Sequence, residues 1–380
     1  MIGFQNVRAY VPGKGIVRTD VLFENGIITH VGAPAQEETA TYGDDLIVLP
    51  GFIDEHIHGA GGADAMDDTE SALSTIANVL AEEGTTAFLA TTMTQSKEAI
   101  TAALSAARDH MTKQTTGARL LGVHLEGPFI APKFKGAQPL SHIQAPSVER
   151  FEEYQSAAGG NIRLVTVAPE EDGALDLIAH LKKTGVCASV GHSAAGYDDV
   201  MRAVAQGLSC VTHTYNAQSP VHHREIGVVG SAMLCDALYT ELICDTIHVS
   251  VPAIQLMIRN KPQDKVILIT DSMRAKGLAD GVSELGGQTV YVKNREARLA
   301  DGTLAGSVLR MNDAIRNLVT KVNIPLETAV DFATINPARH LGIDRECGSI
   351  EIGKRADFVV LDRDFSVVAT YVGGRLVYEK

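Results

Sequence analysis

Eight short apolar runs, separated by longer stretches with a helical pattern, constrain the fold of this chain most strongly. The runs cover residues 52–57, 85–91, 120–125, 162–168, 186–190, 208–212, 241–247 and 266–270. Short apolar runs that alternate with helices predict βα units around a parallel sheet. A closed barrel requires eight such units, so we predict an α/β fold with a TIM-type (β/α)₈ barrel over residues 51–349.

Most of the stretches between and after these runs have the periodicity of helices. Helices are predicted at residues 70–83, 97–111, 172–183, 198–205, 309–321 and 326–334. Asn336-Pro337 is interpreted as the stop signal of the last helix. Residues 277–300, which follow the eighth run, are predicted to form an inserted hairpin instead of a helix.

Both ends of the chain have a different pattern, which is typical of short β-strands. Residues 4–10, 16–23 and 27–31 are predicted as strands, and Asn25-Gly26 is typical of a type I′ hairpin turn. Residues 357–361 and 367–378 are also predicted as strands, with Gly373-Gly374 as a break. We therefore predict that residues 1–50 and 350–380 combine into one small β-sandwich domain.

Residues of the metal-binding type follow six of the eight apolar runs. They are His56 and His58 after the first run, Glu126 after the third, His192 after the fifth, His213 after the sixth, His248 after the seventh and Asp271 after the eighth. Alone, each has a simpler interpretation, such as a core histidine or a helix cap. Because the chemistry of such barrels gathers at the C-terminal ends of the strands, their joint placement predicts a metal centre.

The ligand types indicate which metal this centre holds. Imidazoles and carboxylates without thiolates suit a borderline or hard divalent ion, with Zn²⁺ favoured and Fe²⁺ or Mn²⁺ as alternatives. Three protein ligands leave a coordination position open for water, whose pKa falls toward ~7 on zinc. A nearby carboxylate can then carry the proton to a leaving group, and Asp271 is the candidate. The residues alone thus predict a metal-dependent hydrolase.

Composition narrows the classes of partner and location. The 380 residues carry a formal net charge of −13, which argues against nucleic acid or an anionic membrane as the main partner. No charged and apolar leader begins the chain, and no apolar run approaches the ~20 residues of a membrane span, so a cytoplasmic location is predicted. The five cysteines form no Cys-x-x-Cys pair and are predicted to be reduced thiols.

Six segments, at residues 50–59, 122–130, 190–193, 212–217, 270–272 and 302–307, carry the most distinctive motifs. The most specific of them contains His124-Leu-Glu-Gly-Pro-Phe129. Together they closely resemble N-acetylglucosamine-6-phosphate deacetylases of the amidohydrolase superfamily. The resemblance implies that Glu126, His192 and His213 hold the main metal ion and that Asp271 is the catalytic acid/base. It carries over His56 and His58 as ligands of a second ion, so one or two ions per subunit are expected.

The resemblance also implies a substrate. In this family N-acetyl-D-glucosamine 6-phosphate is hydrolysed to D-glucosamine 6-phosphate and acetate. The positions that match the family's substrate-binding residues are Ala137, Gln138, Asn216, Ala217, Arg224, His248, Leu304, Ala305 and Gly306. Arg224 matches a residue that reaches the phosphate in the neighbouring subunit, which implies a homodimer. A placed arginine agrees with the charge argument, because an acidic chain needs a local cation for an anionic ligand.

Three positions depart from the family pattern, and they leave alternatives open. Gln138 replaces a histidine that helps to orient the substrate, Gln218 replaces a methionine, and Glu55 replaces an apolar residue. A glutamine cannot titrate, so Gln138 leaves substrate preference or rate undecided. The alternative substrates are N-acetylgalactosamine 6-phosphate, a cyclic amide or an N-acyl amino acid. A barrel that lost catalysis and serves assembly is a further alternative, but every implied ligand is present.

Overall fold

The computed structural model describes residues 2–32, 40–67 and 69–380, with only the backbone described at Ile2 and Glu70. The strands are β1 (Ile2–Val11), β2 (Gly15–Glu24), β3 (Ile27–Gly32), β4 (Ile47–Pro50), β5 (Phe52–Ile57), β6 (Gly59–Ala60), β7 (Ala63–Asp64), β8 (Thr85–Thr91), β9 (Arg119–Glu126), β10 (Ile162–Val167), β11 (Cys187–Val190), β12 (Leu208–Val211), β13 (Tyr239–Ile243), β14 (Val266–Ile269), β15 (Gly281–Leu285), β16 (Gln288–Lys293), β17 (Glu296–Arg298), β18 (Phe358–Leu361), β19 (Val367–Val372) and β20 (Arg375–Glu379). The α-helices are α1 (Glu70–Ala81), α2 (Lys97–Lys113), α3 (Val148–Ala157), α4 (Ala174–Thr184), α5 (Tyr197–Gln206), α6 (Gly227–Leu234), α7 (Val251–Asn260), α8 (Met311–Asn317), α9 (Leu326–Ala333) and α10 (Ile335–His340).

The predicted (β/α)₈ barrel is confirmed. A parallel sheet contains β5, β8, β9, β10, β11, β12, β13 and β14 in chain order. Two backbone hydrogen bonds of 2.9 Å join the first and last strands of this sheet and close the barrel. The N–H of Asp271 donates to the carbonyl of His56, and the N–H of His58 donates to the carbonyl of Ser272. The eight strands are the eight apolar runs of the sequence, with ends that differ by at most a few residues.

Side chains of the barrel strands alternate between an apolar outer layer and a more polar interior. Val165, Val190 and Val211 belong to the buried cluster that helices α2, α4 and α5 complete from outside. Thr166 and Thr212, the neighbours of Val165 and Val211, are instead joined inside the barrel by a hydrogen bond of 2.9 Å between their hydroxyls. The period-two pattern thus directs polar side chains toward the barrel axis.

Helices α1, α2, α4, α5 and α9 match predicted ranges, and α8 ends at Asn317, short of the predicted residue 321. The sequence prediction gave no range for α3, α6, α7 and α10. Helix α9 ends before Thr334, which has φ −133° and ψ −83°, and α10 begins directly after it. The prediction that Asn336-Pro337 stops the last helix is therefore wrong, because Pro337 lies in the first turn of α10. A proline is tolerated there because the first amides of a helix have no intrahelical acceptor. Among the residues that the structure describes, no helix has the length and apolar character needed to cross a membrane.

The two ends of the chain join in one sheet, as predicted. Its strand order is β20-β19-β18-β4-β1-β2-β3. Three strand spacings separate β1 from β19, about 14 Å in a flat sheet, yet the rings of Phe4 and Tyr371 are only 5.1 Å apart. The sheet is therefore bent onto itself, and its two halves enclose a separate apolar core in the manner of a sandwich. Asn25 and Gly26 both have positive φ, as the type I′ turn requires.

The domain limits at residues 50/51 and 349/350 stay a prediction, and positions 1 and 33–39 of the terminal unit lie outside the described residues. The segment after β14 forms an antiparallel sheet in the order β15-β16-β17, so the predicted hairpin gains a third strand. This inserted sheet lies at the mouth of the barrel, where its Leu285 reaches the pocket described below.

Candidate metal centre

The ends of the barrel strands bring together the residues that the sequence predicts as ligands. His56 is the penultimate residue of β5 and Glu126 the last residue of β9, whereas His192, His213 and Asp271 follow β11, β12 and β14 by two residues each. His192, His213 and Asp271 have φ values of 48°, 29° and 46°, a left-handed conformation that non-glycine residues seldom adopt. Such strain persists where the surrounding fold imposes it, and it is frequent at functional sites.

Glu126, His192 and His213 form a compact, buried group of potential ligands. Glu126 Oε1 lies 3.1 Å from His192 Nε2 and 3.0 Å from His213 Nε2, and the two imidazole nitrogens are 3.1 Å apart. Ligands about 2.0 Å from a tetrahedral ion stand about 3.3 Å from one another. The three atoms thus have nearly the spacing of one face of a metal coordination tetrahedron.

Hydrogen bonds to backbone carbonyls fix the tautomers of two of the histidines, His192 and His58. Nδ1 of His192 lies 2.9 Å from the carbonyl of Phe134, and Nδ1 of His58 lies 3.2 Å from the carbonyl of Thr91. A carbonyl can only accept, so Nδ1 donates in both residues and Nε2 presents its lone pair when the ring is neutral. Metal-binding histidines are typically oriented in this way.

A second group adjoins the first and consists of His56, His58 and Asp271. His58 Nε2 lies 3.1 Å from Glu126 Oε2 and 3.2 Å from Asp271 Oδ1. His56 Nε2 lies 3.5 Å from both Glu126 Oε1 and Asp271 Oδ1. Glu126 therefore presents Oε1 to His192 and His213 of the first group and Oε2 to His58 of the second. A carboxylate placed in this way could contribute a ligand atom to both groups.

The electrostatics of the centre favour a cation. Burial raises the pKa of the Glu126 carboxyl, but the charge of His56 and hydrogen bonds from neighbouring imidazoles outweigh this and hold the pKa well below its usual range. Burial also raises the pKa of Asp271, and His56 and His58 beside it lower it overall. Burial lowers the pKa of His58, whereas the carboxylates of Asp271 and Glu126 raise it to about 10. Ionised carboxylates among imidazole nitrogens, shielded from water, fit a divalent ion.

Gln138 contacts the metal centre directly. Its Oε1 accepts the backbone N–H of Thr94 at 2.7 Å, which directs its Nε2 toward Glu126 Oε2 at 2.9 Å. The side chain is buried. The neutral amide of Gln138 thus donates one N–H to Oε2 of Glu126. Its second N–H is free to face a substrate.

The other two departures from the family pattern have structural partners. Glu55 is fully buried, and its oxygens lie 2.9 and 3.0 Å from Nδ1 of His340 on α10. Gln218 donates from Nε2 to the carbonyl of Thr212. Glu55 is therefore compensated by His340, whereas Gln218 is bonded through Nε2 only and its buried Oε1 has no hydrogen-bond partner among the described residues.

A pocket of about 200 Å³ opens over the centre. Its lining includes most of the predicted substrate positions, namely Ala137, Gln138, Asn216, Ala217, His248, Leu304 and Gly306. His248 is held by Asp245, whose Oδ2 lies 2.6 Å from its Nδ1. Two predicted positions do not line the pocket: Ala305 is buried behind it, and Arg224 lies on an exposed loop with its Nη1 2.7 Å from His223.

Sequence reasoning missed several residues that contribute to the centre. Glu241 Oε2 lies 2.9 Å from Nδ1 of His56 and accepts the backbone N–H of His213 at 3.0 Å, so one oxygen supports a ligand from each group. A glutamate inside the apolar run of β13 was the available signal, because a buried carboxylate needs partners. Met93 and Leu285 also line the pocket, and their ordinary apolar surroundings in the sequence gave no indication of this.

Comparisons with known proteins agree with this geometry. The model of the amidohydrolase family matches residues 47–377. The N-acetylglucosamine-6-phosphate deacetylase of Bacillus subtilis (strain 168) is 48% identical over 337 residues, which are 88% of this chain and 85% of that protein. The N-acetylgalactosamine-6-phosphate deacetylase of Escherichia coli O157:H7 is 36% identical over 338 residues, 89% of each chain.

A solved structure gives the same result for the whole fold. It is a mutant N-acetyl-D-glucosamine-6-phosphate deacetylase from Mycobacterium smegmatis in complex with N-acetyl-D-glucosamine-6-phosphate. The two chains are 31% identical and superpose with a TM-score of 0.93, over 99% of this chain and 98% of the other.

Proposed function

This chain belongs to the amidohydrolase family, among its N-acetylglucosamine-6-phosphate deacetylases, and we propose that it hydrolyses N-acetyl-D-glucosamine 6-phosphate to D-glucosamine 6-phosphate and acetate. The observation that carries the proposal is the convergence of Glu126, His192, His213 and Asp271 on one pocket with metal-like spacing. Catalysis in this family depends on a metal. We infer Zn²⁺, with Fe²⁺ or Mn²⁺ as alternatives, and one or two ions per subunit.

The chemistry divides between the ion and the side chains. Glu126, His192 and His213 would hold a divalent ion, which would supply Lewis acidity that lowers the pKa of water toward about 7 and polarises a carbonyl. Asp271, whose Oδ1 lies 3.2 Å from His58 Nε2 at this centre, accepts the proton that the attacking water loses. It then gives that proton to the amide nitrogen as the C–N bond breaks, so that the amine leaves and acetate remains.

Other pocket residues orient the substrate in this proposal. The second N–H of Gln138 faces the acetyl oxygen, and the hydrogen bond from Thr94 keeps the amide from turning away. His248, held by Asp245, and Asn216 bind the sugar phosphate together with Ala217. Ala137 and residues 304–306 form the wall against the sugar ring, with Ala305 as support from behind.

Arg224 is proposed to complete the site of a second subunit in a homodimer. It lies on an exposed loop, and Val221, Leu234 and Leu256 beside it are more than half exposed. These three side chains line one apolar cavity with Ile226. An exposed apolar surface on the same part of the chain as an exposed arginine fits an interface between copies, in which the arginine reaches a phosphate bound by the other copy.

The location is inferred from the cysteines. All five are free thiols. Reduced thiols are typical of proteins in the cytoplasm, and we propose that compartment here.

A second substrate is favoured by one observation. A relative 36% identical to this chain is an N-acetylgalactosamine-6-phosphate deacetylase, and its substrate differs in the orientation of one hydroxyl. The galacto epimer is therefore the alternative substrate.

Steady-state kinetics with parallel metal analysis test the proposal. The substrates are N-acetylglucosamine 6-phosphate, N-acetylgalactosamine 6-phosphate and unphosphorylated N-acetylglucosamine. We expect the highest kcat/KM for the first, at least one bound ion, and a large loss for the third. If kcat/KM is highest for N-acetylgalactosamine 6-phosphate, that compound replaces N-acetylglucosamine 6-phosphate as the proposed substrate. If the metal-loaded protein turns over none of the three compounds, the proposal is refuted. In Arg224→Ala, retained preference for the phosphorylated sugar would remove the proposed role of that residue.

A further inference from the structure

The pocket has an apolar corner to which the mechanism above assigns no role. Met93 and Leu285 line the pocket together with His58 and Asp271, and they are only 1% and 2% exposed. Both belong to one buried cluster whose other members are Met273, Ala275, Val290, Val292, Ala297 and Ala305. Leu285, Val290, Val292 and Ala297 come from the inserted sheet β15–β17. The insertion therefore extends its own apolar core into the wall of the pocket.

Several contacts fix this corner against the barrel. Gln95 donates from Nε2 to the carbonyl of Gly286 at 3.1 Å, and Gln288 donates from Nε2 to the carbonyl of Ala137. A Cβ atom on Gly286 would lie 3.0 Å from Cε of Met93, so the chain approaches that side chain closely where it turns. The corner is thus a formed part of the pocket wall.

The corner lies across the barrel mouth from Asn216, one of the residues proposed to bind the sugar phosphate, and it adjoins Ala137 and Ala305 of the proposed sugar wall. Met93 follows β8, whereas Asn216 follows β12. These strands are four positions apart in the described barrel sheet, which places them on opposite sides of an eight-stranded barrel. Two of the candidate metal ligands come from strands between these two: Glu126 ends β9, and His192 follows β11.

The connectivity of an amide sets the direction of its acyl chain. The nitrogen and the acyl carbon are attached on opposite sides of the carbonyl carbon. With the carbonyl at the metal centre and the sugar toward Asn216 and His248, the acyl chain points toward Met93 and Leu285. We propose that these two side chains form the acyl-binding corner, and that Leu285 limits the accepted acyl group to the size of acetyl. This inference rests on the proposed function.

An acyl series tests the assignment. The substrates are the N-acetyl, N-propionyl and N-butyryl derivatives of glucosamine 6-phosphate. One methylene in an apolar pocket changes kcat/KM by about 10–200-fold, so we expect the wild type to lose at least about ten-fold per added carbon. Leu285→Ala and Met93→Ala should raise the butyryl-to-acetyl ratio of kcat/KM by about ten-fold or more.

Val282 provides the matched control. It lies on β15 with Leu285, but it is 72% exposed and three residues away, so its side chain points to the opposite face of the strand. Val282→Ala should leave the ratio unchanged. If Leu285→Ala does not fold, Leu285→Val removes one carbon and should raise the propionyl-to-acetyl ratio.

The outcomes separate this inference from the proposed function. If folded Leu285 variants have the same butyryl-to-acetyl and propionyl-to-acetyl ratios of kcat/KM as the wild type, the acyl-binding corner is refuted. The proposed deacetylase function is not affected by that result. A wild type that turns over none of the N-acyl sugar phosphates counts against the proposed function itself. Dissociation constants of the same three compounds, measured by calorimetry in an Asp271→Asn background, should change in the same order as the kinetic ratios.

Discussion

Removing the Glu241 carboxylate should weaken metal binding without removing any ligand. Its Oε2 atom supports His56 and the backbone of His213, one member of each ligand group. In Glu241→Ala both donors lose their acceptor in a fully buried site. In Glu241→Gln one carbonyl oxygen can still accept from both, and only the negative charge is lost.

The expected magnitudes follow from these contacts. Loss of a residue that orients a metal ligand typically lowers metal affinity by about 10–100-fold. We expect the lower value, about 1.4 kcal/mol, for Glu241→Gln, because the geometry is retained. We expect the upper value, about 2.7 kcal/mol, for Glu241→Ala, because two buried donors lose their partner. Since one oxygen supports both groups, every bound ion should be affected.

Competition against a chromophoric chelator measures the affinity, and elemental analysis of the dialysed protein measures the number of ions. Glu55→Gln is the control, because Glu55 is also a fully buried carboxylate inside the barrel and its hydrogen-bond partner is His340. This control should lower the melting temperature and leave metal affinity unchanged. A folded Glu241→Ala protein with wild-type affinity would refute the assigned role of this carboxylate.

Three further predictions follow from other contacts of the structure. Asp271→Asn should retain metal and substrate binding and lower kcat by about 10²–10⁴-fold, measured by steady-state kinetics and metal analysis; near-normal turnover would contradict its role in proton transfer. Gln138→Ala should lower kcat/KM and destabilise the fold by about 1–3 kcal/mol, measured by denaturant unfolding, because buried hydrogen-bonding groups lose their partner; Gln138→His should restore part of the activity. Glu83→Gln should destabilise the protein by about 3–5 kcal/mol, because Lys276, which lies 2.6 Å from the Glu83 carboxylate and is fully buried, loses the nearest negative charge that balances its own. The double variant Glu83→Gln/Lys276→Met should recover much of that stability, and a double variant no more stable than the single one would contradict the explanation.

The barrel and the convergence of the candidate ligands could be predicted because both depend on local patterns. A strand buried on both faces has an apolar sequence, and each candidate ligand stands at the end of such a run or within two residues of it. His192, His213 and Asp271 follow their strands at the same distance, so the closure of the sheet is enough to bring them together. The prediction needed only the rule that strand ends meet at one side of a barrel.

The parts that could not be predicted depend on contacts between distant segments. Leu285 lies far along the chain from Met93, and only the folded insertion brings the two together. The position of β13 in the barrel places Glu241 against His56. The sequence showed that Glu241 is a carboxylate in an apolar run, but it did not show which residue this carboxylate contacts. The end of α9 at Thr334 agrees with the predicted range 326–334, but α10 directly after it was not predicted, because Asn336-Pro337 is locally typical of a helix stop.

The shared terminal sheet lets β18 anchor the segment that leads into His56 and His58, two of the candidate metal ligands. Strand β18 pairs with β4, and the backbone N–H of Gly51 donates to the carbonyl of Asp357 at 3.0 Å, directly before β5 begins. During synthesis, β5, which leads to His58, therefore leaves the ribosome about 300 residues before β18, the strand that pairs with the preceding β4. Until β18 has been synthesised, the edge of β4 that it covers has no partner strand, and contacts of such long sequence separation form slowly. A truncation that removes β18 should consequently loosen the segment that leads into His56 and His58.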